Sequence, residues 1–147
     1  MSINPSAFYD ASATSDSGRS SRTYKDINLS FAKHPVTKDI ATLTDVEAVK
    51  RSVRNLVNTN FYEKPFHPEI GSDVRRALFE PVSEPTANLL GRYVEDVIKN
   101  FEPRVELSNV ICIGNIDSNA YEVVIEFYLQ NVSSDLQTTS IFLERLR

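Results

Sequence analysis

Between residues 43 and 58, in LTDVEAVKRSVRNLVN, the apolar positions Val46, Val49, Val53, Leu56 and Val57 recur at intervals of three and four. That spacing makes one stripe on an α-helix. Thr44 and Glu47 stand at capping-box spacing, with Leu43 and Ala48 at the staple positions, so the helix is predicted to start there. Lys50, Arg51 and Arg54 fall toward its C-terminal half, where they suit the macrodipole as an ordinary solvated face. The next stretch, TNFYEKPFHPEIGS, is turn-rich, because each proline fixes its own φ and disfavours α geometry for the residue before it. Gly71-Ser72-Asp73 then opens a short helix, with Ser72 as N-cap and Val74, Ala77 and Leu78 facing inward, and Glu80-Pro81 stops it.

SEPTANLLGRYVEDVIKNF predicts the longest helix. Ser83 or Glu84 caps it, Pro85 lies in its first turn, and Ala87, Leu90, Val94, Val97 and Phe101 share a face. Gly91 weakens this helix by about 1 kcal/mol relative to Ala, or admits a close neighbour. After Pro103 the period changes to two. YEVVIEFYL puts Tyr121, Val123, Ile125, Phe127 and Leu129 on one face and Glu122, Val124, Glu126 and Tyr128 on the other. RVELSNVICI alternates only if a bulge near Ser108 keeps Asn109 off the apolar face. Gly114-Asn115 and Ser118-Asn119 supply the hairpin loop, and TTSIFLERLR is a third strand. The pattern is therefore α+β, with helices packed on a small antiparallel sheet.

The third strand is apolar on both faces, with Ile141 and Leu143 on one and Phe142 and Leu146 on the other. Such a strand either lies under the molecule's own helix or adds to another protein's sheet. The residues leave both readings open. Upstream, residues 1–25 are rich in Ser, Asp, Ala and Thr and form a flexible arm that orders only against a partner, leaving 26–147 as the folded domain. Ile27, Leu29 and Phe31 alternate over a short span and suggest an extended docking segment.

Composition narrows the function. The 147 residues carry 16 basic and 20 acidic side chains, well mixed, for a net charge of −4. No footprint for nucleic acid or anionic lipid stands out. No apolar run is long enough to span a bilayer, and the N-terminus lacks a signal-peptide pattern. A lone cysteine, Cys112, rules out an internal disulfide, and His34 and His67 have no fixed ligand spacing, so neither a metal nor a cofactor is expected.

The trio Glu102-Pro103-Arg104 sits where helical periodicity gives way to strand periodicity. Pro103 predicts that the helix closes near Phe101 and that the chain leaves extended, with residues 102 and 104 on the same side about 7 Å apart. A carboxylate at a helix C-terminus has the wrong sign for the dipole, so Glu102 needs a cation, and Arg104 is the nearest. Paired in water, the two would contribute about 0–1 kcal/mol as a plain corner. Buried against another protein, the planar arginine fork would grip carbonyls or a carboxylate as lysine does not. The catalytic alternative is sugar-polymer hydrolysis, which needs two carboxylates, one with a raised pKa. Glu80, Glu84 and Glu102 are its candidates, yet each precedes a proline, so helix termination already accounts for their positions.

Taken together, AVKRSVRNLV, then the P-F-x-P-x-x-G element at Pro65, Phe66, Pro68 and Gly71, then LFEP and the Glu102-Pro103-Arg104 trio, resemble the baseplate wedge family of contractile-tailed phages. That family is shared with type VI secretion baseplates and historically called lysozyme-like. The resemblance spans about residues 37–147. It implies a structural protein of the virion tail baseplate, assembled in the host cytoplasm in several copies around a ring. It also implies partner binding by Glu102, Pro103 and Arg104 toward other wedge proteins, and by the strand around Ile141, Phe142 and Leu143 toward the tail sheath protein, which it primes for polymerisation. The alternative under the same resemblance is a baseplate-borne muramidase. Members of the family often carry Gly-Glu-Arg before the Pro-Phe element, where this chain has Tyr62-Glu63-Lys64.

Overall fold

A computed structural model describes residues 24–36, 38–130 and 133–146. Of the expected arm, residues 1–23 lie outside the described residues. The chain runs β1 (Lys25–Ile27), β2 (Thr42–Thr44), α1 (Asp45–Asn58), α2 (Val74–Ala77), α3 (Glu84–Phe101), β3 (Val105–Asn115), β4 (Ala120–Leu129) and β5 (Ser133–Glu144). The last three strands form one antiparallel sheet in the order β3-β4-β5, and β1 pairs with β2 as a separate ribbon. The class is α+β, as the periodicities indicate.

The core forms where the two periods meet. Val49, Val53 and Val57 of α1 and Ala87, Leu90, Val94 and Ile98 of α3 pack with Tyr121, Val123, Ile125, Phe127 and Leu129 of β4. Ile141 and Leu143 of β5 join the same cluster, so the final strand's inner face is covered by its own chain. Ile98, fully buried, belongs to the α3 stripe beside the expected Val97. The buried Tyr121 has its hydroxyl satisfied. It donates to the Pro81 carbonyl at 3.2 Å and accepts from the Ser83 amide at 3.2 Å, which fixes the start of α3 over the sheet.

Ser83 caps α3, its Oγ accepting from the Thr86 amide. The ladder between β3 and β4 shifts between Leu107 and Asn109, which is the bulge that the misplaced Asn109 requires. Asn115 Oδ1 accepts from the Asp117 and Ser118 amides and shapes the hairpin turn.

Two expected caps take other forms. Thr44 makes no side-chain cap, because it is the last residue of β2, paired with Lys25, and the ribbon runs straight into α1. Asp45 makes the change of direction with φ 48°, and its amide donates to the Tyr24 carbonyl. Ser72 does not cap α2, whose N-cap is Asp73. Its Oγ instead donates to the Val57 carbonyl at 2.8 Å, satisfying the C-terminal end of α1. Asn60 and Ser72 form a parallel bridge that closes the connector into a loop. Gly71 permits this closure, since a Cβ there would lie 2.4 Å from the Asn60 carbonyl carbon and the Phe61 nitrogen.

Candidate functional site

The helix–strand corner is a turn, not the extended exit expected of Pro103. Glu102 ends α3 with its amide bonded to the Ile98 carbonyl, and the Val105 amide donates back to the Glu102 carbonyl at 3.1 Å. Pro103 therefore occupies the second position of a four-residue turn, where its fixed φ is favoured. The turn folds Glu102 and Arg104 onto each other. Arg104 Nε donates to Glu102 Oε1 at 2.6 Å and Nη2 to Oε2 at 2.8 Å, a two-pronged pairing that lysine has no geometry to reproduce.

The pair is not immersed in water. The Glu102 side chain is only 4% exposed and that of Arg104 26%. Ser52 of α1 adds a third hydrogen bond, from its Oγ to Glu102 Oε2 at 2.5 Å. Burial pushes the Glu102 carboxyl up, but the hydrogen bonds from Arg104 and Ser52 outweigh it and hold the pKa below the ordinary value. The hydrogen bond to Glu102 likewise raises Arg104, against the opposing effect of burial. Of the two sequence readings, a pair in water or a pair buried against another protein, neither describes the isolated chain: the pair is a three-group cluster around a buried Glu102, with Ser52 and Arg104 half-buried.

Arg104 also reaches the N-terminal ribbon. Its guanidinium lies 5.4 Å from the centre of the Tyr24 ring, and Nη1 is 3.7 Å from Asp26 Oδ2. Tyr24 donates from its hydroxyl to the Gln130 carbonyl, and the Gln130 amide donates to the Arg104 carbonyl at 3.0 Å. Arg51, expected on a plain solvated face, donates to Asn28 Oδ1 at 2.8 Å and ties the same ribbon to α1. The corner therefore joins α1, α3, the β3–β4 end of the sheet and the ribbon. Ser52, Asp26, Tyr24 and Arg51 carry no local sequence signal for this role, because they meet Glu102, Arg104 or Asn28 only through long-range folding. Ile27, Leu29 and Phe31, the alternating docking segment, remain exposed, and only residues 25–27 are strand.

In the sheet β5 borders β4 on one side only, so among the described residues its second edge is unpaired. Ile141 and Leu143 point into the core, while Phe142 is 70% exposed. Arg145 Nε donates to the Glu80 carbonyl and the Leu146 amide to the Leu78 carbonyl, stitching the strand's exit to the end of α2.

For hydrolysis the geometry is unfavourable. Both Glu102 oxygens are occupied by donors and the group is held ionised, the reverse of a general acid's raised pKa. Glu80 and Glu84 are exposed residues flanking the start of α3. Burial raises the Cys112 thiol to about 11, which disfavours the thiolate that a soft metal would need. Among the described residues no cluster of three ligand-type side chains could hold a metal, and no helix is long and apolar enough to cross a membrane.

Comparison with known proteins gives this architecture a family. Baseplate wedge protein gp25 of Enterobacteria phage T4 is 28% identical over 116 residues, covering 79% of this chain and 87% of that protein. A Geobacter sulfurreducens crystal structure, provisionally described as a tail lysozyme, superposes with a TM-score of 0.63 at 19% identity, covering 69% of this chain and 91% of its own. A chain of the anti-feeding prophage baseplate superposes at 0.57 with 18% identity, covering 85% and 88% respectively. At those identities the two structures establish the fold alone. The family model for baseplate wedge protein gp25 matches residues 44–133, more than half of the sequence and the whole stretch from α1 to the end of β4. This chain belongs to the baseplate wedge protein gp25 family, structural components of contractile-tail baseplates in the virion tail.

Proposed function

We propose that residues 26–147 act as a docking and templating module without bond chemistry. The corner at Glu102, Pro103 and Arg104 faces partner wedge proteins, and β5, centred on Ile141, Phe142 and Leu143, primes the tail sheath by strand addition. Several copies around a ring would fix the position and angle of the first sheath layer. The observation that carries this reading is the edge of β5 that stays unpaired among the described residues, twelve residues from Ser133 to Glu144 on a sheet whose order ends there. Such an edge offers a row of backbone donors and acceptors to another chain. Ile141 and Leu143 act from inside, since their burial fixes the register of the strand, and Phe142 supplies the side-chain contact.

The corner's part follows from its rigidity. With both carboxylate oxygens satisfied internally, it presents a fixed turn, and the exposed Pro103 and the remaining accessible edge of Arg104 are what a partner would meet. The muramidase alternative has little support in a glutamate held ionised. Phe142→Lys tests the priming role, because a charge on an edge strand blocks sheet extension while leaving an exposed position's fold intact. Baseplates carrying it are expected to assemble without sheath under the electron microscope. Sheath of normal length on those particles would contradict the proposal.

A further inference from the structure

Among the described residues, helices cover only the inner face of the three-stranded sheet. The cross-strand register places Ile113, Glu122 and Phe142 in one row of the outer face, with Ile111, Val124 and Ser140 in the next and Asn109, Glu126 and Thr138 in the third. Ile111, Ile113 and Phe142 are exposed, as is Ile116 on the adjoining turn. An apolar group of this kind on a rigid sheet is an ordinary sign of an interaction surface. Its charge is one-sided. β3, β4 and β5 contain no lysine, arginine or histidine, while Glu106, Glu122, Glu126 and Glu144 all belong to the outer face by their register.

Glu122 limits what can dock there. It stands between Ile113 and Phe142 in its row, so covering those side chains also takes its carboxylate out of water. A desolvated carboxylate needs a cation, and these strands offer none. A second copy applied face to face would bring carboxylate against carboxylate. Nucleic acid and anionic lipid are repelled by the same charges. We propose that the outer face of the sheet is a docking surface for a basic, amphipathic protein segment, its apolar side chains lying over Ile111, Ile113 and Phe142 and its lysines or arginines reaching Glu122 and Glu126. This surface shares Phe142 with the β5 edge but is centred on β3 and β4 and lies away from the corner, and it goes beyond the function proposed above.

The test titrates the full chain, followed by amide NMR shifts, with a synthetic peptide alternating lysine with leucine and valine, and with its counterpart carrying glutamate for lysine. The lysine peptide is expected to shift Ile111, Ile113, Glu122 and Val124 and to weaken as salt rises, since screening acts over about 10 Å at 0.1 M. Glu122→Lys and Ile113→Ser are each expected to weaken it about tenfold while melting like the wild type. Both positions lie off β5, so failure here is distinguishable from failure of sheath priming. Equal binding of the glutamate peptide, shifts confined to β5 or the helices, no binding, or indifference to Glu122→Lys would each overturn the proposal. Dimerisation of the chain through this face in sedimentation would overturn it too.

Discussion

Glu102 is a carboxylate removed from water at the end of a helix whose dipole disfavours it, so its hydrogen-bond partners decide whether the corner is stable. Arg104→Ala leaves that buried carboxylate with Ser52 as its remaining side-chain partner and is expected to cost about 1–3 kcal/mol, the range for a buried polar group that loses its partner. Urea unfolding of the full chain checks this, and an unchanged midpoint would return the pair to a surface ornament. The pH dependence has a definite sign. Because the folded pKa of Glu102 is lowered, its stabilisation is complete above the ordinary carboxylate range and disappears as pH falls through the folded value. The stability gap between wild type and Glu102→Gln is therefore expected to be larger at pH 7 than at pH 3 in the same unfolding measurement. From sequence the pair was visible as a rule-breaking acid beside a base. Its burial was not, because Ser52 lies 50 residues upstream and no local pattern points to it.

At the scale of elements, the strongest signals were those where pattern and packing agree. The β4 alternation, the α3 stripe and the bulge beside Ser108 all emerge as their periods require. The capping box at Thr44 did not form, since the same residue completes a ribbon whose other strand lies almost twenty residues upstream. A comparison of caps tests this directly. Ser83→Ala is expected to lower stability by about 1 kcal/mol, whereas Thr44→Ala changes little. Equal losses would contradict the assignment of caps. Gly71→Ala is expected to destabilise the connector by about 1–3 kcal/mol, because its methyl meets backbone, which yields less readily than a side chain. A thermal melt matching the wild type would show that the loop can open at no cost. Tyr62 and Phe66 in that loop have φ 65° and 67° and are 86% and 97% exposed, placements that the turn-rich composition did not reveal.

For the whole molecule, the sequence posed the final strand as either self-covered or partner-paired, and its two faces divide the answer. The inner face is closed by the chain's own core through Ile141 and Leu143, while among the described residues the outer face and one edge are uncovered. Removing the strand would therefore strip the core as well as the edge, and only substitutions at exposed positions such as Phe142 can separate folding from assembly. The edge of β5 is the centre of the proposed function, and backbone hydrogen exchange reads it most directly. Amides of β5 that point away from β4 are expected to exchange rapidly in the isolated chain and to become strongly protected in baseplates bearing sheath. If those amides exchange equally fast in both states, no strand has been added there and β5 is not the primer.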